Sequence, residues 1–153
     1  MPTYGGGMEI FMGYIYAVIA GACMSIQGVM NTRLGEKAGL FLANSYVQGT
    51  AFLLSLIVLL FAKDSTLKAF GEVNKFYLLG GAFGIAITLT VMMSVKGTSP
   101  AIAVSTILVS QLICAAIIDA FGLMGTQKLA FGWNKYLGAV IMIAGVLIFK
   151  MKR

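Results

Sequence analysis

The 153-residue chain contains no histidine, two cysteines, two prolines and five acidic residues. Without histidine, the commonest general base and the commonest metal ligand are both missing. Cys23 and Cys114 each lie inside an apolar run, and no CxxC spacing occurs. A zinc or dithiol site is therefore not expected, and both thiols read as small packing residues. No glycine-rich phosphate-binding loop is present, so any work this chain does is not driven by its own ATP hydrolysis. No nucleophile–base pair or metal cluster stands out either. An enzyme is not expected, and no cofactor is implied. Charged residues make up only 10% of the chain, against about 25% in a soluble domain.

What is present is apolar. Hydrophobic residues account for 59% of the chain, and the mean hydropathy is +0.95. A helix needs about 20 consecutive apolar residues to cross a bilayer. Five such segments can be drawn: Ile10–Met30, Leu40–Ala62, Phe76–Val95, Pro100–Phe121 and Trp133–Phe149. Runs such as "LLSLIVLLFA" and "AVIMIAGVLIF" do not alternate polar with apolar residues, as the strands of a membrane barrel would. Lipid leaves helices as the other way to satisfy the backbone. The expected fold is all-α: an integral membrane protein with five transmembrane helices, forming one transmembrane domain over residues 1–153. The first run lacks a basic flank and is too long for a signal peptide core, so it reads as a retained span. "MPTYGGG" before it reads as a disordered lead.

The connections are short. "NTRLGEKAG" reads as a charged turn with glycine at both ends, and "KGTSP" as a tight break with Pro100 at an early helical position. In "KDSTLKAFGEVNK", Leu67, Phe70 and Val73 recur every third residue. This suits either a short helix on the membrane surface or a polar loop. Tyr14, Tyr16, Phe76, Tyr77, Trp133 and Tyr136 fall near helix ends, where aromatic belts form.

The net charge of +6 does not point to nucleic acid, because the basic residues are scattered over segment ends. With five spans, one membrane side carries Lys63, Lys68, Lys75, Lys128 and Lys135. The other carries Arg33, Lys37, Lys96, Lys150, Lys152 and Arg153. A clear Lys/Arg excess normally sets orientation, and none exists here. Either other features fix a single topology, or copies insert both ways and pair antiparallel. Transporters are commonly built from inverted repeats around a midplane site, and the two halves of this chain do not resemble each other. One chain would then be one repeat, completed by dimerisation.

Small residues recur at four-residue spacing: Gly13, Ala17, Gly21 and Ser25 in the first segment, and Gly80, Gly84 and Thr88 in the third. Such stripes let helices approach closely in lipid. Polar side chains inside spans carry more information, because they are costly there. Gln27 and Asn31 end the first span. Asn44 and Gln48 share a face of the second, with Ser55 two turns on. Gln111 lies about 16 Å along the fourth span from Pro100, and Asp119 follows near its end. Each could be an interhelical clasp, worth about 0.6 kcal/mol; together they suggest a shared polar cavity. No ionisable residue sits mid-span, which favours a neutral, polar or mildly amphipathic substrate.

Taken together, "SIQGVMNTRLG", "NSYVQGT" and "STILVSQLICAAIIDAFG" resemble the short five-helix, YdcZ-type family of the drug/metabolite transporter superfamily. The resemblance spans about Ile10 to Phe149. Its most specific pieces are Gln27 with Arg33, and Ser110-Gln111-Leu112 with Asp119 and Phe121. Gln48 departs from the pattern, in which that position is more often apolar. The resemblance implies an antiparallel dimer that mimics a ten-helix transporter, related in architecture to small multidrug resistance proteins. Family members look like homodimers, heterodimer pairs or fused tandem copies.

The expectation is a small secondary exporter in the inner membrane, contacting lipid, a small-molecule substrate and a second copy or paralogue. Gln27, Asn31, Asn44, Gln48, Gln111 and Asp119 are the expected substrate-binding residues, with Arg33 and Asp119 as a gate or orienting pair between subunits. Two other readings stay open: a passive channel and a non-transporting assembly partner. Saturable exchange in liposomes would separate transporter from channel. A chain that binds no small molecule would point to the assembly partner.

Overall fold

The computed structural model describes residues 7–62, 69–126, 128 and 132–151. They form helices: α1 (Gly7–Ala38), α2 (Leu40–Phe61), α3 (Ala69–Glu72), α4 (Gly80–Gly97), α5 (Pro100–Phe121) and α6 (Trp133–Lys150). A 3₁₀ segment, Lys75–Leu79, leads into α4, and another, Leu123–Gly125, follows α5. No strand occurs among the described residues.

The largest departure from the sequence reading is at the end of the first helix. The segment expected to stop at Met30 and turn through "NTRLGEKAG" instead stays helical to Ala38. Local chemistry explains the extension. Leu34, Glu36, Lys37 and Ala38 favour helix, Arg33 pairs with Glu36 one turn on at 3.0 Å, and Lys37 lies in the last turn, where the dipole favours a cation. The turn falls to Gly39 alone, at φ 88° and ψ 148°, a region essentially reserved for glycine. Its N–H donates to the Gly35 carbonyl, and its own carbonyl accepts from Ala43 N–H, both at 3.0 Å. One residue thus closes α1 and opens α2.

The third expected span, drawn from Phe76, begins as the 3₁₀ segment and becomes α-helical only at Gly80. The break before α5 is as expected. Ser99 caps the helix by accepting from Ile102 N–H at 3.3 Å, and Pro100 occupies the first turn. Gly122, with φ 63° and ψ 38°, ends α5 in the left-handed conformation. Of "KDSTLKAFGEVNK", the stretch 63–68 lies outside the described residues, including Leu67; α3 is a four-residue turn, with Phe70 and Val73 exposed. Of "MPTYGGG", only Gly7 is described, as the first residue of α1.

Contacts divide the chain into two units. One contains residues 26–97: the C-terminal part of α1, with α2, α3 and α4. Here α2 and α4 pack antiparallel, Ala43 lying at the level of Met92 and Gln48 at that of Thr88. The buried stripe of α1 is Gly28, Asn31 and Thr32, continued by Gly35. These positions are three or four residues apart and so share one face. The glycines allow close approach: a Cβ on Gly28 would stand 3.1 Å from Val91 Cγ1, and one on Gly35 would stand 2.5 Å from Met92 Cε. Met92 is the largest fully buried side chain, and it fills the room that Gly35 leaves.

The other unit contains residues 1–25 and 98–153. Its described core is the α5–α6 pair. Leu112–Phe121 faces Tyr136–Met142, while Thr106–Ile117 faces Ile143–Leu147, so the pair is antiparallel. Gly13 and Gly21, in the small-residue stripe of α1, have open space where a side chain would point. The same holds for Gly80, whereas Gly84 faces Gln48.

Candidate functional site

Four helical segments are long and apolar enough to cross a membrane: Gly7–Ala38, Leu40–Phe61, Lys75–Gly97 and Pro100–Phe121. Tyr136–Phe149 is a shorter apolar stretch within α6. In the four long segments, no more than 11% of the most apolar window is buried. Among the described residues, the buried apolar set is Ala43, Met92, Val95 and Ala103. So much uncovered apolar surface would be untenable in water. It suits a chain whose solvent is lipid.

The polar residues picked out by sequence fall into three groups. The first is buried in the 26–97 unit. Asn31 and Asn44 are each less than 10% exposed, and the Asn44 carbonyl oxygen is buried without a hydrogen-bond partner. Thr32, which is not among the expected site residues, is also buried and donates to the Gly28 carbonyl at 2.7 Å.

The second group is a clasp. Gln48 Nε2 donates to Thr88 Oγ1 at 3.3 Å, tying α2 to α4. Thr88 passes its own proton back to the Gly84 carbonyl at 2.9 Å. Ser55, on the same expected face of α2, is spent locally, donating to the Phe52 carbonyl at 2.7 Å.

The third group faces outward. Gln27 and Gln111 are exposed. Arg33 is also exposed, and its pairing with Glu36 is within one helix. Burial of Asn31 beside an exposed Gln27, one turn earlier, marks where packing in the 26–97 unit begins.

Asp119 is half-buried and lines a cleft of about 710 Å³ between α5 and α6. The remaining lining is apolar apart from Tyr136, and includes Leu112, Ala116, Ala139 and Met142. Gln111 does not line it. A second, smaller cleft of about 440 Å³, on the same helix pair, is lined by Thr106, Ser110 and Cys114 among apolar residues. Thr106 donates to the Ile102 carbonyl at 2.8 Å, so its proton is spent within the helix. No cluster of metal-ligating side chains occurs among the described residues.

A known protein family, described as "Putative inner membrane exporter, YdcZ", matches residues 12–148. The chain belongs to the YdcZ family. The match runs from the start of α1 nearly to the end of α6 and agrees with the uncovered apolar helices. This YdcZ-family chain is accordingly an integral inner-membrane protein of an exporter family. No curated protein and no solved structure matches it.

Proposed function

We propose that this YdcZ-family chain is a small secondary exporter of a polar or amphipathic molecule, and that it works as an antiparallel, dual-topology dimer. The observation carrying this reading is the uncovered state of its helices. Spans that bury at most 11% of their apolar windows have room for another copy as well as for lipid. Small-residue faces such as Gly13, Ala17 and Gly21 suit close helix contact there. The near-even distribution of Lys and Arg over the two expected sides lets either orientation insert. In this reading α6, with 18 residues and so about 27 Å long, is the fifth span.

Two inverted copies make the inverted repeat that alternating access uses, with cargo bound between them near the midplane. Gln111, exposed and near mid-depth, can then face its symmetry mate. Gln27 forms the rim; Asn31, Asn44 and Gln48, buried or clasped within the 26–97 unit, would offer their amides to cargo only as that packing loosens. Arg33 and Asp119, expected from the order of the spans near opposite membrane faces, would meet across an antiparallel pair and act as a gate. Arg33 would exchange Glu36 for Asp119 of the partner subunit.

The test combines orientation and exchange. Single cysteines at the two termini, in a variant lacking Cys23 and Cys114, should each be labelled from both membrane sides. Purified protein in liposomes should show saturable export of a ligand found by a thermal-stability screen. Labelling of each terminus from one side only would end the dual-topology reading. Failure of the Asp119→Arg/Arg33→Asp exchange to restore activity lost in either single variant would end the gate.

A further inference from the structure

The α5–α6 cleft has a chemistry of its own. Its volume, about 710 Å³, lies within the roughly 300–1,000 Å³ of small-molecule sites. It runs along α5 from Leu112 to Phe121, which is about 13 Å at helical rise. Most of that length is aliphatic: Leu112, Ile113, Ala116 and Ile117 from α5, with Ala139 and Met142 from α6. At one end stand Asp119 and the Tyr136 ring. No other acidic residue lies within the apolar stretch of any helix, and among the described side chains no basic one lines the cleft. Among the described residues, Asp119 makes no ion pair.

An apolar trough closed at one end by a single carboxylate discriminates by charge. An acyl anion is repelled. A neutral chain gains only the contact with the trough. A cation carried on an apolar body gains both, and an aromatic ring beside the carboxylate adds to the attraction for a positive head group. We propose that the α5–α6 cleft binds an amphipathic cation, its apolar body along Leu112–Ile117 and its positive group at Asp119. This rests on the exporter reading above and names the class of cargo. The mildly amphipathic substrate expected from sequence thereby acquires a positive charge, because Asp119 lines a cleft instead of facing open water. Asp119 then holds either the cargo's cation or Arg33 of the partner subunit, which links occupancy to the gate.

The experiment uses the full chain in phosphatidylglycerol nanodiscs and three probes of equal chain length: decylamine, decanol and decanoate. Decylamine should bind at least about tenfold more tightly than decanol, and decanoate more weakly than either. Asp119→Asn should reduce decylamine to the level of decanol. Asp119→Glu should keep most of the preference. Ala116→Phe, which adds bulk to the trough lining, should weaken decylamine and decanol alike. Equal affinity for all three probes would overturn the proposal, as would full decylamine binding by Asp119→Asn. Loss of decylamine binding when phosphatidylethanolamine replaces phosphatidylglycerol would assign the cleft to a lipid amine and also overturn it. Equilibrium binding keeps the two readings apart. Asp119-dependent binding without transport in liposomes would keep the site and remove the exporter. Transport without Asp119-dependent binding would do the reverse.

Discussion

Gln48 and Thr88, forty positions apart in sequence, join α2 to α4 through a 3.3 Å hydrogen bond. Thr88 relays the bond to the Gly84 carbonyl. Gly84 faces the same amide: a Cβ there would stand in ordinary van der Waals contact with Gln48 Nε2, at 3.6 Å. Gln48 is thus fitted to a neighbouring helix of its own chain. Hydrogen bonds of this kind in membranes average about 0.6 kcal/mol. A double-mutant cycle with Gln48→Leu and Thr88→Val, read by unfolding in bicelles, should give a coupling of that order. A coupling of zero would mean that the bond does not contribute to folding.

The contact between Gly35 and Met92 should be far less tolerant. A Cβ at Gly35 would lie 2.5 Å from Met92 Cε, and Met92 is 2% exposed, so it has little room to withdraw. Gly35→Val should therefore destabilise the protein by about 1–3 kcal/mol, the usual range for overpacking. Adding Met92→Ala should recover part of that loss. Gly13→Val, where the space is open, serves as the control and should not destabilise by an intrachain clash. Thermal unfolding of the three variants beside the unaltered protein decides this.

At Gly39 the constraint is the backbone itself. With φ 88° and ψ 148°, an alanine would be held in a region that L-residues avoid, at a cost of about 1–3 kcal/mol. Gly39→Ala should lower the melting temperature although nothing lies within 4 Å of the new Cβ. An unchanged melting temperature would show that the α1–α2 turn has a different geometry.

Asn44 predicts a change in the opposite direction. Its buried carbonyl oxygen has no partner, and leaving such a group unsatisfied costs about 1–3 kcal/mol. Asn44→Leu, similar in size and apolar, should hold or raise stability, whereas Asn44→Asp should lower it. If Asn44→Leu destabilises the protein, a bound water, cargo or second subunit is supplying the missing donor.

The sequence by itself determined the class of the molecule. Long runs without alternation, few charges and no histidine admit helices in lipid and little else, because an unbonded backbone cannot persist there. Ser99 and Pro100 marked the start of α5 for the same local reason that they cap it. Glycine at both ends of the charged turn was legible too, but not that Gly39, rather than Gly35, turns the chain. "NTRLGEKAG" reads as a turn, yet its helix formers and the Arg33–Glu36 pair carry the helix to Ala38, and the contacts of Gly28, Asn31, Thr32 and Gly35 decide which face turns inward.

The polar residues show the same division. Composition marked Gln27, Asn31, Asn44, Gln48, Gln111 and Asp119 as costly in a membrane, since an amide or carboxylate in hydrocarbon needs a partner. It could not sort them, because partners come from other helices. Tertiary packing made Gln48 a clasp, buried Asn44 without a donor, turned Gln27 and Gln111 outward, and set Asp119 in the α5–α6 cleft. Those differences arise from which helix lies against which face. A single chain read in order does not contain that information until it folds.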